Sequence, residues 1–219
     1  MIISIHIRKC AGTTFRKSLA NYFGERVLFD YGDEVGSTWP SSLKKRQQSL
    51  ANAKKNKNPT QSNFDVIHGH FYRDKYDFLD PGKRYITFLR DPVSRTLSNY
   101  FYLKRNLERE NPDALIVNKL GFSLREYIQH PDCRNLQSQY LKTNTLAEFE
   151  FVGITEEYNS SIDKLNATLG IDLTTSDAEN VNDKAAEDYD VTPDIFNLIQ
   201  KCNPEDLRLY ELALNRLHK

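Results

Sequence analysis

A lysine, a glycine and two threonines stand close together near the start of the chain, in a segment made of Arg8, Lys9, Cys10, Ala11, Gly12, Thr13 and Thr14. The apolar, β-branched residues 1–7 predict a buried strand before this segment, and the threonines are expected to begin a helix after it. The first N–H groups of a helix lack partners within the helix and carry the positive end of its dipole, so they bind anions. The segment therefore predicts a phosphate-binding loop, although an ordinary strand-to-helix turn with a surface lysine fits these residues equally well.

The predicted phosphate-binding loop is not a Walker A motif. That motif places its lysine after the second glycine of Gly-x-x-x-x-Gly-Lys-Ser/Thr, whereas Lys9 precedes Gly12 in this chain. The lysine ammonium would thus approach a bound phosphate from the opposite end of the loop. This difference counts against a kinase of the P-loop type.

Arg90 and Ser98 form a second candidate anion site, which begins where another predicted strand ends. Asp91 is a good N-cap and Pro92 a good first helical residue, so a helix is expected to start there. That helix places Arg95 and Ser98 one turn apart. A guanidinium group can bind two oxygens at once, so arginine with a hydroxyl suits a phosphate dianion. A salt bridge from Arg90 to Asp91 or to another carboxylate is the alternative.

Two histidines, His68 and His70, flank Gly69 at the end of a strand predicted over residues 64–71. Open α/β sheets bind ligands at the carboxyl ends of their strands, and residues two apart on an extended chain face the same way. One histidine could serve as a general base, because its ordinary pKa is near neutral. Both could instead bind a metal, for which no third ligand stands at a suitable spacing, or both could be structural.

Strands alternate with helices along the chain, which is the pattern of an α/β fold. We expect a P-loop-like central parallel β-sheet flanked by helices, with a helical C-terminal part. The predicted strands cover residues 1–7, 26–30, 64–71, 83–89 and 149–153. The predicted helices after the first cover residues 40–55, 92–104, 123–129, 134–141, 155–170, 192–201 and 203–217. The acidic stretch 172–190 is expected to be a long loop or a lid.

The composition favours one domain, residues 1–219, and argues against a nucleic-acid-binding, a disulfide-rich and a membrane-spanning protein. Lysine plus arginine and aspartate plus glutamate number 30 each, so the net charge is zero and no global field points to nucleic acid or a membrane. The three cysteines are far apart, which argues against a disulfide framework or structural zinc and favours a reducing compartment. No apolar run is long enough to span a membrane, and no signal peptide precedes the first strand, so the expected location is the cytoplasm.

Taken together, these stretches resemble the nucleotide-dependent sulfotransferases, and most of all their carbohydrate branch, the heparan-sulfate 2-O-sulfotransferase-like enzymes and their bacterial relatives. Residues 6–14 are similar to the family's 5′-phosphosulfate loop, commonly His-x-Pro-Lys-x-Gly-Gly-Thr-Thr/Ser. Residues 90–100 resemble its 3′-phosphate motif, Arg-Asp-Pro-x-x-Arg-x-x-Ser-x-Tyr, over a long and specific stretch. Further similar segments are 67–70, which resembles the segment that bears the catalytic histidine, 135–137 and 151–156.

Two loop positions depart from the family pattern. Arg8 stands where the family has a proline, and Ala11 replaces one of the usual small residues. Arg8 is expected to alter the stiffness of the loop or to add a charge near the sulfonate or the acceptor. Neither change removes Lys9, Arg90 or Ser98.

The resemblance implies that the sulfuryl donor is 3′-phosphoadenosine 5′-phosphosulfate (PAPS), that the product is 3′-phosphoadenosine 5′-phosphate (PAP), and that no metal takes part. It implies that Lys9 neutralises the leaving group and that residues 8–14 hold the 5′-phosphate. Arg90 and Ser98 are expected to hold the 3′-phosphate. His70 is the expected base, with His68 as a supporting or alternative one.

The resemblance also implies an acceptor hydroxyl group, on a sugar or a glycosylated molecule. Arg134, Asn135 and Gln137 are expected to line its groove, together with the basic stretch 54–57, which otherwise is a solvated surface loop. Two other functions stay open at this point. One is a small-molecule or nucleotide kinase of the P-loop type, and the other is a non-catalytic nucleotide-binding module, which would tolerate the loss of His70.

Overall fold

A computed structural model describes residues 1–55, 64–79, 82–106, 115–174 and 191–219. Among these residues, five parallel strands form a central sheet in the order β2-β3-β1-β4-β5. The strands are β1 (Ile2–Ile5), β2 (Val27–Asp30), β3 (Val66–Gly69), β4 (Arg84–Leu89) and β5 (Phe149–Ile154). All four residues of β1 are buried, as expected for the central strand of a parallel sheet that is covered on both faces. The predicted α/β fold with a parallel sheet is confirmed.

Eight α-helices connect and cover the strands within the described residues. They are α1 (Gly12–Phe23), α2 (Pro40–Lys55), α3 (Pro92–Arg105), α4 (Leu124–Gln129), α5 (Leu136–Leu141), α6 (Tyr158–Leu169), α7 (Pro193–Cys202) and α8 (Pro204–Leu217). Four of them begin with proline, which lacks the N–H that a first helical residue could not pair anyway. None of these helices combines the length and apolar character needed to cross a bilayer.

The structure differs from the sequence prediction at the starts of two helices. Thr155 does not begin a helix, because its hydroxyl donates to the Leu89 carbonyl at 2.8 Å and a 3₁₀ turn, Thr155–Glu157, comes before α6. Helix α5 begins later than predicted because Asn135 takes a left-handed conformation with φ of 45°. Residues 56–57 of the basic stretch 54–57 and residues 175–190 of the acidic stretch 172–190 lie outside the described residues.

Helix α3 is held in place by two small apolar clusters that lie apart from the main core of the sheet. Val93 and Leu97 pack in one cluster with Ile128 of α4 and Ile199 of α7. Tyr100 and Leu103 belong to the other, which includes a π-helical turn, Leu115–Lys119, that the sequence did not predict. Because α3 is fixed from several sides, the residues at its start have a defined position relative to the sheet.

The carboxyl ends of all five strands meet at one edge of the sheet. Ile5 of β1 lies opposite Gly69 of β3 and Thr87 of β4, and Asp30 of β2 also lies opposite Gly69. The residues that directly follow the strands, in sheet order, are Tyr31, His70, His6, Arg90 and Thr155. Parallel pairing in this register therefore collects histidines, a tyrosine and an arginine where open α/β sheets bind their ligands.

Replacement of Gly69 by alanine is expected to destabilise the fold strongly. An added Cβ would stand 1.6 Å from the backbone oxygen of Asp30, so one of the two paired strands would have to move. We expect the free energy of unfolding, measured by urea titration, to fall by about 3 kcal/mol or more. Gly121→Ala is the control, because nothing lies within 4 Å of its added Cβ and only its left-handed backbone costs about 1 kcal/mol. Equal losses in the two variants would contradict the predicted close approach.

Candidate active site

The loop between β1 and α1 has the backbone shape of an anion-binding loop. Lys9 and Ala11 both adopt left-handed conformations, with φ of 69° and 52°, and such turns point successive N–H groups into a concavity. Helix α1 starts at Gly12 without a side-chain cap and without an acidic residue in its first turn. Its first N–H groups and its positive dipole end are therefore left for a bound anion.

Two side chains of this loop, those of Cys10 and Arg8, make contacts within the protein. Cys10 is buried beneath the loop, and its thiol donates to the Gln137 side-chain oxygen at 3.6 Å. Burial raises the pKa of the Cys10 thiol to about 12, so it stays protonated. The Arg8 guanidinium donates to the Val35 carbonyl. Arg8 thus ties the loop to the segment that follows β2, a contact the usual family proline could not make.

The Lys9 ammonium lies over the ring of Tyr102 in α3, with 4.2 Å from Nζ to the ring centroid. A cation–π contact of this kind attracts a lysine ammonium to the face of an aromatic ring. Thr13 is exposed and Thr14 is buried at the start of α1. Movement of Lys9 from Tyr102 toward the concavity would bring its charge to an anion in the loop.

Arg90 connects the loop to the start of α3. Its guanidinium donates from Nη1 to the Lys9 carbonyl at 3.3 Å. The Gln137 side chain brackets the Arg90 backbone, since its oxygen accepts from the Arg90 N–H at 2.9 Å and its nitrogen donates to the Arg90 carbonyl at 2.9 Å. The two candidate anion sites at the tips of β1 and β4 are therefore built as one unit.

Glu156, which the sequence analysis did not single out as a site residue, lies beside Arg90. One of its oxygens is 3.7 Å from Arg90 Nε and accepts from the Asp91 N–H at 3.1 Å. The other accepts from the Tyr210 hydroxyl at 3.2 Å. Burial raises the pKa of the Glu156 carboxyl. Its position two residues after the end of β5 was the signal available in the sequence.

Helix α3 starts as predicted and encloses two polar side chains. The Asp91 carboxylate accepts from the Ser94 N–H at 2.8 Å, so Asp91 caps the helix. Arg95 and Ser98 are both 0 % exposed. Among the described residues, the Ser98 hydroxyl and the Nε and Nη1 atoms of Arg95 have no hydrogen-bond partner. Buried donors without partners cost free energy, and a bound anion or water would satisfy them.

Three histidine rings and a tyrosine ring form a cluster at the tips of β1, β2 and β3. The His6 ring lies between those of His68 and His70, with centroid distances of 5.2 and 4.2 Å. The Tyr31 ring stands edge-on to His70 at 4.8 Å, and its hydroxyl is 3.1 Å from His6 Nδ1. His68 and His70 share one side of the sheet edge, as their spacing suggested. Sequence reasoning gave His6 and Tyr31 no role of their own.

The hydrogen bonds of His70 define which of its nitrogens is basic. His70 Nδ1 is 2.7 Å from the His6 carbonyl oxygen, and a carbonyl can only accept, so Nδ1 carries the proton. The Nε2 lone pair of neutral His70 is then available to take a proton from a substrate. Burial, followed by the nearby Arg8 charge, lowers the pKa of His70 to about 4.

His68 has a more enclosed position than His70. It is 1 % exposed, and its Nδ1 is 2.8 Å from the Ser4 hydroxyl. Burial, followed by the charges of His70 and Arg16, lowers its pKa to about 3. Within the described part of the chain, no group of three or more histidine, cysteine, aspartate or glutamate side chains is arranged to hold a metal ion.

The three residues predicted to line an acceptor groove make contacts that support the fold. Arg134 donates to the Gln129 carbonyl. The Asn135 side chain accepts from the Glu205 and Asp206 N–H groups at 3.1 and 3.3 Å, at the start of α8. Gln137 is fully buried in its bracket around Arg90. Contact of these residues with an acceptor stays a prediction.

Comparison with known proteins points to one family. The model of the sulfotransferase family matches residues 1–213. A sulfotransferase from Alicyclobacillus acidocaldarius has a similar structure, with a TM-score of 0.57, 15 % identity, and alignment over 100 % of this chain and 98 % of that one. A mouse sulfotransferase in complex with PAP gives a TM-score of 0.56 at 13 % identity, over 99 % and 87 % of the two chains. At such identities the two structures support the fold alone. No curated protein sequence matches significantly.

The lowered histidine pKa values predict a loss of stability in mild acid. The unfolded chain binds a proton at each histidine near pH 6.5, whereas folded His70 does so near pH 4. The unfolded state therefore holds more protons between these values, and stability falls as the pH is lowered from about 6.5 to about 4.

We expect urea unfolding at several pH values to show a shallower decline for His70→Gln than for the unchanged protein. Leu43→Gln, which changes an exposed residue of α2 that does not titrate, is the control and should leave the decline unaltered. Parallel declines in the protein and in His70→Gln would show that His70 is not held neutral by burial.

Proposed function

The chain belongs to the sulfotransferase family, and from this premise we propose that it transfers a sulfuryl group from PAPS to a hydroxyl group of a carbohydrate or glycosylated molecule. The proposal rests on one observation: two candidate anion sites and a neutral histidine lie together at one edge of the sheet. The uncapped start of α1 suits a phosphosulfate, Arg90 suits a second phosphate, and His70 stands at the neighbouring strand tip. PAPS carries both anionic groups.

Each anionic group of PAPS has its own set of residues in this proposal. The N–H groups of Gly12, Thr13 and Thr14 hold the 5′-phosphosulfate, with the hydroxyls of the threonines as further donors. Arg90 and Ser98 hold the 3′-phosphate, which separates PAPS from nucleotides that lack it, since those nucleotides cannot make these contacts and leave the buried Ser98 hydroxyl without a partner. In this arrangement the buried Ser98 hydroxyl gains a hydrogen-bond partner, an oxygen of the 3′-phosphate.

The transfer step forms one bond and breaks one bond at sulfur. The acceptor oxygen forms a bond to sulfur, and the bond between sulfur and the 5′-phosphate oxygen breaks, leaving its electron pair on PAP. The proton of the acceptor hydroxyl passes to His70 Nε2. Lys9 moves from the Tyr102 ring to neutralise the charge that develops on the leaving phosphate oxygen. No redox change occurs.

His70, rather than His68, is the proposed base. Its hydrogen bond to the His6 carbonyl fixes a basic Nε2, whereas His68 is almost completely enclosed. A bound phosphosulfate dianion would raise the pKa of His70 from its low value in the ligand-free protein, because a nearby negative charge favours the charged imidazolium. The base would thus become effective when the donor is present.

The surroundings of His70 support a sugar as the acceptor. The Arg16 guanidinium lies over the rings of Phe29 and Tyr31, at 4.7 and 5.3 Å from their centroids. The Arg46 guanidinium lies over the Tyr72 ring at 3.9 Å. Aromatic faces combined with fixed polar groups are typical of small-molecule sites. Guanidinium groups that are held over aromatic rings are positioned hydrogen-bond donors, and we infer that they suit the hydroxyl groups of a sugar.

We further propose that residues 1–219 fold as one domain in the cytoplasm. Helix α3 joins the clusters that pack beside the sheet, and Gln137 and Glu156 link later segments to the tip of β4. All three cysteines are free, which suits a reducing compartment.

Thermal unfolding with added nucleotides tests the choice of donor. A ligand that binds only the folded protein, at a hundredfold excess over its Kd, adds about 2.7 kcal/mol of stability. We expect PAP to raise the midpoint by about 5–10 °C, and AMP and ATP–Mg²⁺ to have little effect. Arg90→Ala should abolish the preference for PAP over AMP, whereas Arg125→Ala, which changes an exposed ion pair, should keep it. Stabilisation by ATP–Mg²⁺ alone would favour a kinase.

Replacement of the base tests the transfer step separately from donor binding. We expect His70→Gln to lower kcat by about 10²–10⁴-fold while the Kd for PAP stays within about threefold. The rate is followed as PAP release from PAPS, with the sugar that gives the unchanged protein its highest rate in a screen of neutral and anionic carbohydrates. His218→Gln is the matched control. Full activity of His70→Gln would exclude His70 as the base.

A further inference from the structure

The His6 ring connects the phosphate-binding loop to the proposed base. Its Nε2 stands 1.5 Å from the place that a Cβ on Gly12 would occupy, so His6 fills the side-chain space of the first residue of α1. The same ring packs against the His70 ring, with 4.2 Å between the centroids. A group that leaves the loop and joins an acceptor beside His70 therefore passes along the edge of His6.

His6 is held as a neutral ring by its surroundings. Burial lowers its pKa well below 6.5, and the nearby rings of His70 and His68 lower it further. A neutral imidazole has one N–H donor and one acceptor nitrogen. The hydrogen bond that His6 Nδ1 shares with the Tyr31 hydroxyl, at 3.1 Å, therefore decides what Nε2 can do.

Tyr31 is suited to donate in that hydrogen bond. Burial raises the pKa of the Tyr31 hydroxyl to about 12, so the hydroxyl keeps its proton at neutral pH. When Tyr31 donates to Nδ1, the ring proton of His6 lies on Nε2, next to Gly12. An anion in the loop favours the same tautomer, because it attracts an N–H and repels a lone pair.

We propose that His6 is a further catalytic residue, whose Nε2–H donates to an oxygen of the sulfuryl group during transfer, and that Tyr31 is the positioning residue that selects this tautomer. The inference rests on the proposed PAPS donor. His6 neither gains nor loses a proton, and it makes no bond to sulfur. A fixed donor aimed at the transferring group stabilises charge that builds on its oxygens in a site with little water.

A sulfuryl contact predicts that His6 distinguishes PAPS from PAP, since PAP lacks that group. Two amide replacements of His6 distinguish the roles of its two ring nitrogens. The glutamine amide can take the place of Nε2–H, and the asparagine amide can take the place of Nδ1. We expect His6→Asn to weaken PAPS binding by about tenfold and to slow PAP release from PAPS, with water as acceptor, by about 10²-fold. The Kd for PAP should stay within about threefold in the same variant, which also shows that it folds.

His6→Gln should recover most of the lost PAPS affinity, and this rescue is not expected from a merely structural role. Tyr31→Phe should reduce PAPS affinity by a few-fold without changing that for PAP, while Tyr22→Phe, at an exposed position of α1, should change neither. Nitrogen-15 shifts of the His6 ring report the tautomer directly, and we expect Nε2–H in the unchanged protein and a mixture in Tyr31→Phe.

The outcomes separate this inference from the proposed function. If the unchanged protein binds neither PAP nor PAPS, the proposed function fails. If it binds both and His6→Asn weakens them equally, or weakens neither, the sulfuryl contact of His6 is overturned while the proposed donor stands. An Nδ1–H tautomer in the unchanged protein with PAPS bound would also overturn the role given to Tyr31.

Discussion

The parallel pairing of β1 with β3 on one side and β4 on the other is the constraint on which the rest of the structure depends. Each strand delivers its next residue to the same edge. The register places the end of β1 beside the end of β3 and beside Thr87, two residues before the end of β4. His6, His70 and Arg90 come together for this reason, although they are distant in sequence. A slip of one residue in β1 would turn its side chains to the opposite face and would separate the loop from both neighbours.

Burial sets the electrostatics of the site that this pairing creates. The histidines are kept neutral mainly by removal from water, and the nearby charges of Arg8 and Arg16 act in the same direction. The site thus contains fixed cations around uncharged rings, an arrangement that favours an anionic ligand. The Gln137 bracket and the Arg90 contact with the Lys9 carbonyl connect the two candidate anion sites, which suits a ligand with two anionic groups.

Local signals in the sequence were enough to predict the α/β fold and most element boundaries. Pro92 after Asp91 marked the start of α3, and Pro193 and Pro204 marked α7 and α8. The positions of His6 and Tyr31 directly after strands, and of Glu156 two residues after β5, were also readable, but their partners were not. A contact such as Gln137 with the Arg90 backbone joins residues 47 positions apart, and no periodicity or turn signal encodes such pairs. Burial of Ser98 likewise arises from tertiary packing of α3 with α4 and α7.

The sheet order also fixes when this site can form during synthesis. Ile2 pairs with Arg84, which the ribosome adds about 80 residues later, a delay of about 4–16 s at ordinary elongation rates. During that time the apolar first strand has no partner on its β4 side. The nascent chain therefore carries a short apolar strand with an unpaired edge during that interval, and such edges are prone to aggregate until their partner strand has been made.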